Sequence, residues 1–517
     1  MANFNSKVKN GSTTRTHEGA KAYVRSPKQE LYIAAISDFV SGSTFYEDRS
    51  DKNARLVELT RKVTKSDPQW VMNFVKWLRN EANMRSVSVL VGVEAALASD
   101  SKEFSGRKIL AGAMSRADEP GEVLSYFRSN YPGKSIPAAI KRAVADAAGK
   151  LYNEYSVLKY DSGAREFRFG DVINLTHPKP EGPKQEQVFK LALDRRYNNV
   201  QTLTGSSLLS MQRNREEFKA LTDEQKVEIV KSENGSAILK AAGLTWENVL
   251  SDVKAEKKDL WEALIPTMGY MALLRNLRNF EDADISKKSW NIVYKRLSDA
   301  DEVARSRQLP FRFLSAHKNV SPSHNKLKDV LETALVHSVG NLDELDGNTL
   351  IFLDLSGSMW FGTSDRSQTR FYETAGVFAY VLAQIAEKAT LVGFGSDSRK
   401  MTIPKKFEGV LHRVENLRGM GGTDFESAVA QHYTPGKYDR VVVLTDEQYY
   451  GGWGRSNRSA YSDIKEDTYV WNLVGYRESS SATGNQKVHQ LGGLSAESFR
   501  MIPLIEAGEK GEFPWEK

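Results

Sequence analysis

The segment Leu350-Ile351-Phe352-Leu353-Asp354-Leu355-Ser356-Gly357-Ser358 decides how the C-terminal third of this chain folds. Its first four residues form an unbroken apolar run of the kind a parallel sheet buries on both faces. Three further runs follow, Ala389 to Phe394, Val441 to Leu444 and Tyr469 to Val474. Helix-sized stretches alternate with them at 369–388, 423–433 and about 495–507. Alternation of strand and helix predicts an open α/β doubly wound domain over 341–517, with its ligand site at the C-terminal ends of the strands.

Three loops of that domain carry oxygen-bearing side chains just after a predicted strand. They are Asp354-Leu355-Ser356-Gly357-Ser358, Gly419-Met420-Gly421-Gly422-Thr423-Asp424 and Thr445-Asp446-Glu447. Mg²⁺ takes oxygen ligands at about 2.0–2.1 Å and keeps several waters. Ser356, Ser358 and Thr423 offer hydroxyls to such an ion, while Asp354 and Asp446 bind it or hold its waters. A shell of neutral hydroxyls leaves the ion's charge largely unquenched and open to an outside carboxylate. By itself the first loop is equally readable as a capped strand-to-helix turn. Its weight comes from the Gly-rich loop and the strand-end Thr-Asp that follow in order.

From about Lys21 to Val339 the apolar spacing is mostly helical. Trp70, Phe74 and Leu78 form one stripe, and Trp290, Val293 and Leu297 form another. Ser66-Asp67-Pro68-Gln69 and Thr222-Asp223-Glu224-Gln225 have capping-box spacing. No strict repeat period is present, so the expectation is an irregular stack of helical pairs, an α-solenoid, over 1–340. Two polar stretches, 161–184 and 316–326, interrupt it.

The chain has 517 residues and no cysteine, which excludes disulfides, thiolate metal sites and cysteine nucleophiles. Neither a signal-peptide core nor a stretch near the ~20 apolar residues of a membrane span is present, so a cytoplasmic protein with no membrane partner is expected. From residue 346 onward 19 Lys and Arg face 22 Asp and Glu, whereas before it 53 face 44. The basic surplus therefore lies wholly in the helical part, where a polyanion would bind; a solvated charged surface is the plainer alternative.

The three loops together resemble the metal-ion-dependent adhesion site of the von Willebrand factor A domain, all five positions being matched by Asp354, Ser356, Ser358, Thr423 and Asp446. That resemblance implies metal-dependent binding without catalysis. A phosphotransferase of similar topology needs a second carboxylate two residues after the strand-end Asp, where this chain has Ser356.

The helical part resembles the TROVE module of the Ro family. The resemblance rests on 16–32 (THEGAKAYVRSPKQELY), 135–152 (SIPAAIKRAVADAAGKLY), 169–180 (FGDVINLTHPKP), 265–280 (IPTMGYMALLRNLRNF) and 309–318 (LPFRFLSAHK), in that order and before the metal-site domain. It implies a ring of HEAT-like repeats closed by the C-terminal domain, with small noncoding Y-like RNA on the outer surface and misfolded RNA 3′ ends in a central hole. It also implies an exoribonuclease partner such as polynucleotide phosphorylase, in RNA quality control.

By the same resemblance Lys159 and His177 match family RNA-binding positions. The matching arginine is Arg165, with Arg168 a rival one turn away. Bottom-up chemistry agrees, since cations with interleaved Tyr160, Phe167 and Phe169 suit single-stranded RNA. His177 before Pro178 also fits a simple turn. Arg275 and Arg278 either meet phosphates or pair with Glu281 and Asp282. Lys141 and Arg142 are candidates whose plainer reading is solvated helix charge. A protein-interaction adaptor using the metal site, with no RNA role, is the alternative function.

Overall fold

A computed structural model describes residues 13–15, 21–23, 26–38, 49–198, 208–308, 310–340, 342–361, 370–404, 410–446, 460–473, 487–492 and 501–516. Glu447, Val474, residues 16–20 and the start of the 495–507 segment lie outside them. Up to Val339 the described chain is helical apart from a short antiparallel pair, β1 (Thr13–Arg15) and β2 (Lys21–Tyr23), which replaces the helical start expected at Lys21.

Helix starts follow local chemistry, with one shift. Ser66 does not cap the helix Pro68–Asn80; it ends the helix before, Arg49–Ser66, and its hydroxyl donates to Val63 O at 3.0 Å. Asp67 is the cap instead, accepting from the Trp70 N–H at 2.9 Å, with Pro68 where no N–H is needed. The reciprocal box at Thr222 and Gln225 forms as expected.

Proximity groups the chain into two compact units. One comprises Met1–Phe39, Glu47–Gln201 and Leu504–Lys517; the other comprises Val40–Tyr46 and Thr202–Pro503. In the first, Tyr32, Trp70, Phe74 and Trp77 form an aromatic cluster. Phe513 and Trp515, from the far end of the chain, complete it: Phe513 stands edge-on to Trp70 at 4.9 Å, and Trp515 lies 5.2 Å from Phe74. Such ring pairs add to the roughly 25 cal/mol per Å² of apolar burial.

The second unit holds a six-stranded sheet of β3 (Leu345–Asp354), β4 (Ala386–Phe394), β5 (Ser398–Met401), β6 (Arg440–Thr445), β7 (Asp467–Asn472) and β8 (Val488–Gly492). The order is β5-β4-β3-β6-β7-β8, parallel throughout except for β5 against β4. β5 and β8 were not marked by apolar runs; both are edge strands with polar residues, where burial on two faces is not required.

The apolar runs are explained by cover on both faces. Leu350, Phe352, Val392, Phe394, Val441, Val443 and Val470 pack against Phe425, Ala428 and Val429 of the helix Phe425–His432. On the other face, Phe378 of the helix Phe371–Ile385 meets Trp471 at 4.9 Å. That helix ends before 388 because Ala386 already pairs with Leu345. Lys318, from the helix Pro310–Asn319, reaches the buried Glu373 at 2.6 Å and ties the last helices to the α/β layer.

Phe513 is almost fully buried. Phe513→Ala should therefore destabilise its unit by about 3 kcal/mol, read as a lower urea midpoint in far-ultraviolet circular dichroism; an unchanged midpoint would show that the C-terminal aromatics add nothing.

Candidate metal centre and nucleic-acid interface

β3 leads to β4 on one side, and its other neighbour, β6, is reached later. This is the switch point at which open parallel sheets leave a crevice beyond their carboxyl ends. The register sets Leu353 beside Leu444, so Asp354 and Thr445 come together. Asp354 is inaccessible to solvent; its Oδ1 accepts the Ser356 N–H at 2.8 Å and its Oδ2 accepts the Thr445 hydroxyl at 2.6 Å. Burial pushes this carboxyl up to about 6, against the hydrogen bonds from Ser356 and Thr445, and the charge of Asp446 adds to the push. Asp446 itself is buried next in sequence to Thr445.

The remaining donors arrive on laced loops. Ser356 Oγ and Ser358 Oγ lie 3.2 Å apart. The Met420 N–H donates to Leu355 O at 2.8 Å and the Gly357 N–H to Gly421 O at 2.7 Å, so the loop bearing Thr423 is bound edge to edge with the Ser356–Ser358 turn. Gly395 permits the approach: a Cβ there would stand 2.5 Å from both Met420 Cβ and Met420 O. The Gly422 N–H is taken up by Ser396 Oγ at 2.7 Å.

All five residues expected at the metal thus lie on three segments converging at one sheet edge. Among the described residues no three His, Cys, Asp or Glu side chains cluster to hold an ion by themselves. The donor set is two buried carboxylates with three hydroxyls, a chemistry that fits a hard divalent cation and its waters.

The other candidates divide between the units. In the first unit, Arg165 is committed to carboxylates, its guanidinium 2.5 Å from Asp118 and 3.1 Å from Glu122. Arg85 and Arg116 converge on the same Asp118, at 2.9 and 2.5 Å, and Arg79 holds Glu119 at 2.7 Å. Burial by itself would raise Asp118, but hydrogen bonds from Arg116 and Arg85 outweigh it and hold the carboxyl well below the usual range. Arg168 is likewise paired with the buried Asp161, at 2.7 Å. Both guanidinium groups brace the segment from inside.

Lys159 and His177 are exposed. Lys159 Nζ donates to the Tyr155 hydroxyl at 2.9 Å and lies 5.1 and 5.2 Å over the Tyr155 and Tyr160 rings, while Arg116 covers Tyr160 at 5.5 Å. His177 ends the helix Phe169–Thr176 in a left-handed conformation, φ 49°, with its N–H bonded to Ile173 O at 2.9 Å. Its ring is presented outward just before Pro178 rather than used to close the turn. Phe169 is core, stacked on Tyr152 at 4.0 Å, and Phe167 is half-buried.

Lys141 is half-buried and Arg142 exposed, off the apolar face of the helix Ala138–Leu151. In the second unit Arg275 and Arg278 are exposed; Arg278 stands 4.0 Å from Asp282, whereas Glu281 binds His324 at 2.7 Å. Tyr155, Arg196 and Tyr197, which the sequence reading did not single out, present exposed rings and a cation beside these candidates. Tyr155 stands four residues before Lys159, one helical turn away, and Arg195-Arg196-Tyr197 is a basic-aromatic run that could have been read.

A helical array followed along the chain by a mostly parallel sheet with a hydroxyl-and-carboxylate site defines a two-part protein, and comparison narrows it. Residues 239–343 match the TROVE domain family. The chain is 21% identical over 467 residues to RNA-binding protein RO60 of Deinococcus radiodurans, covering 85% of this chain and 84% of that one. It is 22% identical over 354 residues to telomerase protein component 1 of mouse, 60% of this chain but only 13% of that protein. The rat protein matches to the same extent, so the chain spans a small part of those two relatives. In fold it is similar to the crystal structure of the Deinococcus radiodurans Ro (Rsr) protein, with a TM-score of 0.71, 17% identity, and coverage of 94% of this chain and all of that one. Part of the helical region thus matches the TROVE domain family, and most of the chain is similar to a Ro protein in sequence and in fold.

Because the folded carboxyl of Asp118 titrates below its unfolded value, its stabilisation is present above about pH 4 and is lost as pH falls through the folded value. Asp118→Asn should cost about 3 kcal/mol at pH 7 by taking from Arg116 its carboxylate partner and from Arg85 and Arg165 one of theirs, and its deficit against wild type should shrink on acidification below about pH 4. A deficit in thermal midpoint that is equal at pH 7 and pH 3 would contradict the network's role.

Proposed function

We propose that the chain is an RNA-binding scaffold of the Ro type with no chemistry of its own. In this reading a HEAT-like helical-repeat module and a von Willebrand factor A-like domain make up the chain, and a small Y-like noncoding RNA binds the helical module's surface at Lys159 and His177. Single-stranded 3′ ends of misfolded RNA are a second ligand, whose phosphates meet Arg275 and Arg278, with Lys141 and Arg142 as further candidate RNA contacts. An exoribonuclease such as polynucleotide phosphorylase then acts with it in the cytoplasm. No described helix is long and apolar enough to cross a membrane.

The observation that carries the reading is the array of exposed Lys159 and Tyr155 with half-buried Tyr160 and Arg116, in a chain one of whose relatives is named for RNA binding. Cations set against aromatic rings suit phosphates and bases together. Arg165 and Arg168, paired with Asp118 and Asp161, stay candidate RNA contacts beside Lys159 and His177. No observation favours the adaptor reading over this one.

Mg²⁺ on Asp354, Ser356, Ser358, Thr423 and Asp446 would brace the three loops and leave a coordination position for a partner's carboxylate.

Replacing Lys159 and His177 together with Ala should weaken binding of a structured small RNA and lower the dependence of log affinity on log salt by about one for each phosphate that is no longer neutralised. Unchanged affinity and slope in filter binding would refute the surface assignment. For the metal, protons compete for Asp354 near pH 6, so Mg²⁺ should raise the thermal midpoint more at pH 7.5 than at pH 5. Asp354→Asn should remove the effect, and an equal rise in that variant would place the ion elsewhere.

A further inference from the structure

We propose that Tyr197, braced by Arg196, is a stacking site for an unpaired base of bound RNA, and that Tyr155 is a second one. The proposal rests on the RNA-binding reading and names the part of the RNA this surface takes. Tyr197 and Tyr155 are large side chains left 51% and 42% exposed. Neither ring is loose. The Tyr197 hydroxyl donates to Asp171 Oδ1 at 3.0 Å, and the Arg196 guanidinium lies 5.6 Å over the ring. Arg196 Nε in turn donates to both Asp171 oxygens at 2.8 Å. Tyr155 is held in the same style by Lys159.

The backbone is shaped to present Tyr197. Asp194–Asn198 is a π-helical turn, a distortion that is frequent at functional sites. Gly170 lets it close on the helix Phe169–Thr176, since a Cβ there would meet Arg196 Cβ at 2.5 Å and Ala192 O at 2.8 Å. From the other side Arg195 donates to Val157 O at 3.2 Å, which ties the turn to the helix Glu154–Tyr160 that carries Tyr155 and Lys159.

An exposed ring fixed by hydrogen bond and cation contributes little to the core, and it loses little freedom when something stacks on it. The charge of Arg196 is already offset by Asp171, so the site is a flat and nearly neutral π surface. That suits a nucleobase rather than a phosphate, and it suits an unpaired base, because a paired one keeps its faces inside the duplex stack.

The test uses the full chain and two RNAs with the same duplex stem, one blunt and one with a single-stranded tail carrying 5-bromouridine. Wild type should bind the tailed RNA more tightly, and ultraviolet crosslinking with peptide mass spectrometry should place the adduct on Tyr197 or Tyr155. Tyr197→Ala should lose about tenfold in affinity for the tailed RNA, the scale of one base-aromatic stack, and leave the blunt affinity unchanged. Tyr197→Phe, which keeps the ring, should retain most of the tail preference and so separates stacking from damage to the Asp171 hydrogen bonds. A Tyr197→Ala protein that keeps the tail preference without a crosslink at either tyrosine overturns this proposal alone; equal binding of both RNAs by wild type overturns it together with the binding of single-stranded ends, but not the binding of structured RNA. Binding of neither RNA by wild type overturns the RNA-binding reading with it.

Discussion

A carboxyl group with no solvent access, at the end of the central strand of a parallel sheet, must be satisfied from inside the protein. Asp354 meets that demand with the Ser356 N–H and the Thr445 hydroxyl, and doing so ties β3 to β6 at the place where the strand order turns back. The α/β half of the molecule is arranged around that point. Apolar runs bury the strands on both faces, and the Gly395 gap lets the Thr423 loop lie down against the Ser356–Ser358 turn. A buried pair, Asp354 and Asp446, is costly for charges of the same sign. The neighbouring hydroxyls make the same place hospitable to a divalent cation.

The helical half uses charge differently. Asp118, Glu119 and Glu122 gather Arg79, Arg85, Arg116 and Arg165 into one network, where a nearby run of basic residues reads at first sight as a polyanion surface. Arg116 belongs to both layers, paired with Asp118 and lying across Tyr160. What faces outward is therefore less a patch of positive charge than a set of rings with cations against them. Affinity for a nucleic acid at such a surface would depend on stacking as well as on phosphate attraction.

Much of this was legible in the residues. The apolar runs at 350–353, 389–394 and 441–444, the helical stripes and the Thr222 box all follow from short-range periodicity and capping, which act within a few residues. Four of the five oxygen donors were legible because they end or follow a strand; the Thr423 loop, expected after a strand, instead runs from the helix Val410–Glu415 to the helix Phe425–His432. The two polar edge strands were not, since an edge position removes the two-sided burial that marks a strand. The Asp67 cap was displaced from Ser66 by one residue because the preceding helix claimed Ser66 first.

The candidate RNA surface shows where local reading stops. The sequence by itself determined which residues carry charge and rings between 155 and 197, and that a basic surplus lies before residue 346. Only tertiary structure decided that Arg165 and Arg168 turn inward to carboxylates from other segments or across a loop, while Lys159 and Tyr197 are held outward. The physical reason is that a guanidinium's partner is set by which carboxylate folding brings within about 3 Å. Asp118 stands 47 residues from Arg165 along the chain. For the metal site the same division holds: the donors are local features of two strand ends and one Gly-rich loop, and their meeting is a property of the strand order and of the hydrogen bonds that lace that loop to the Ser356–Ser358 turn.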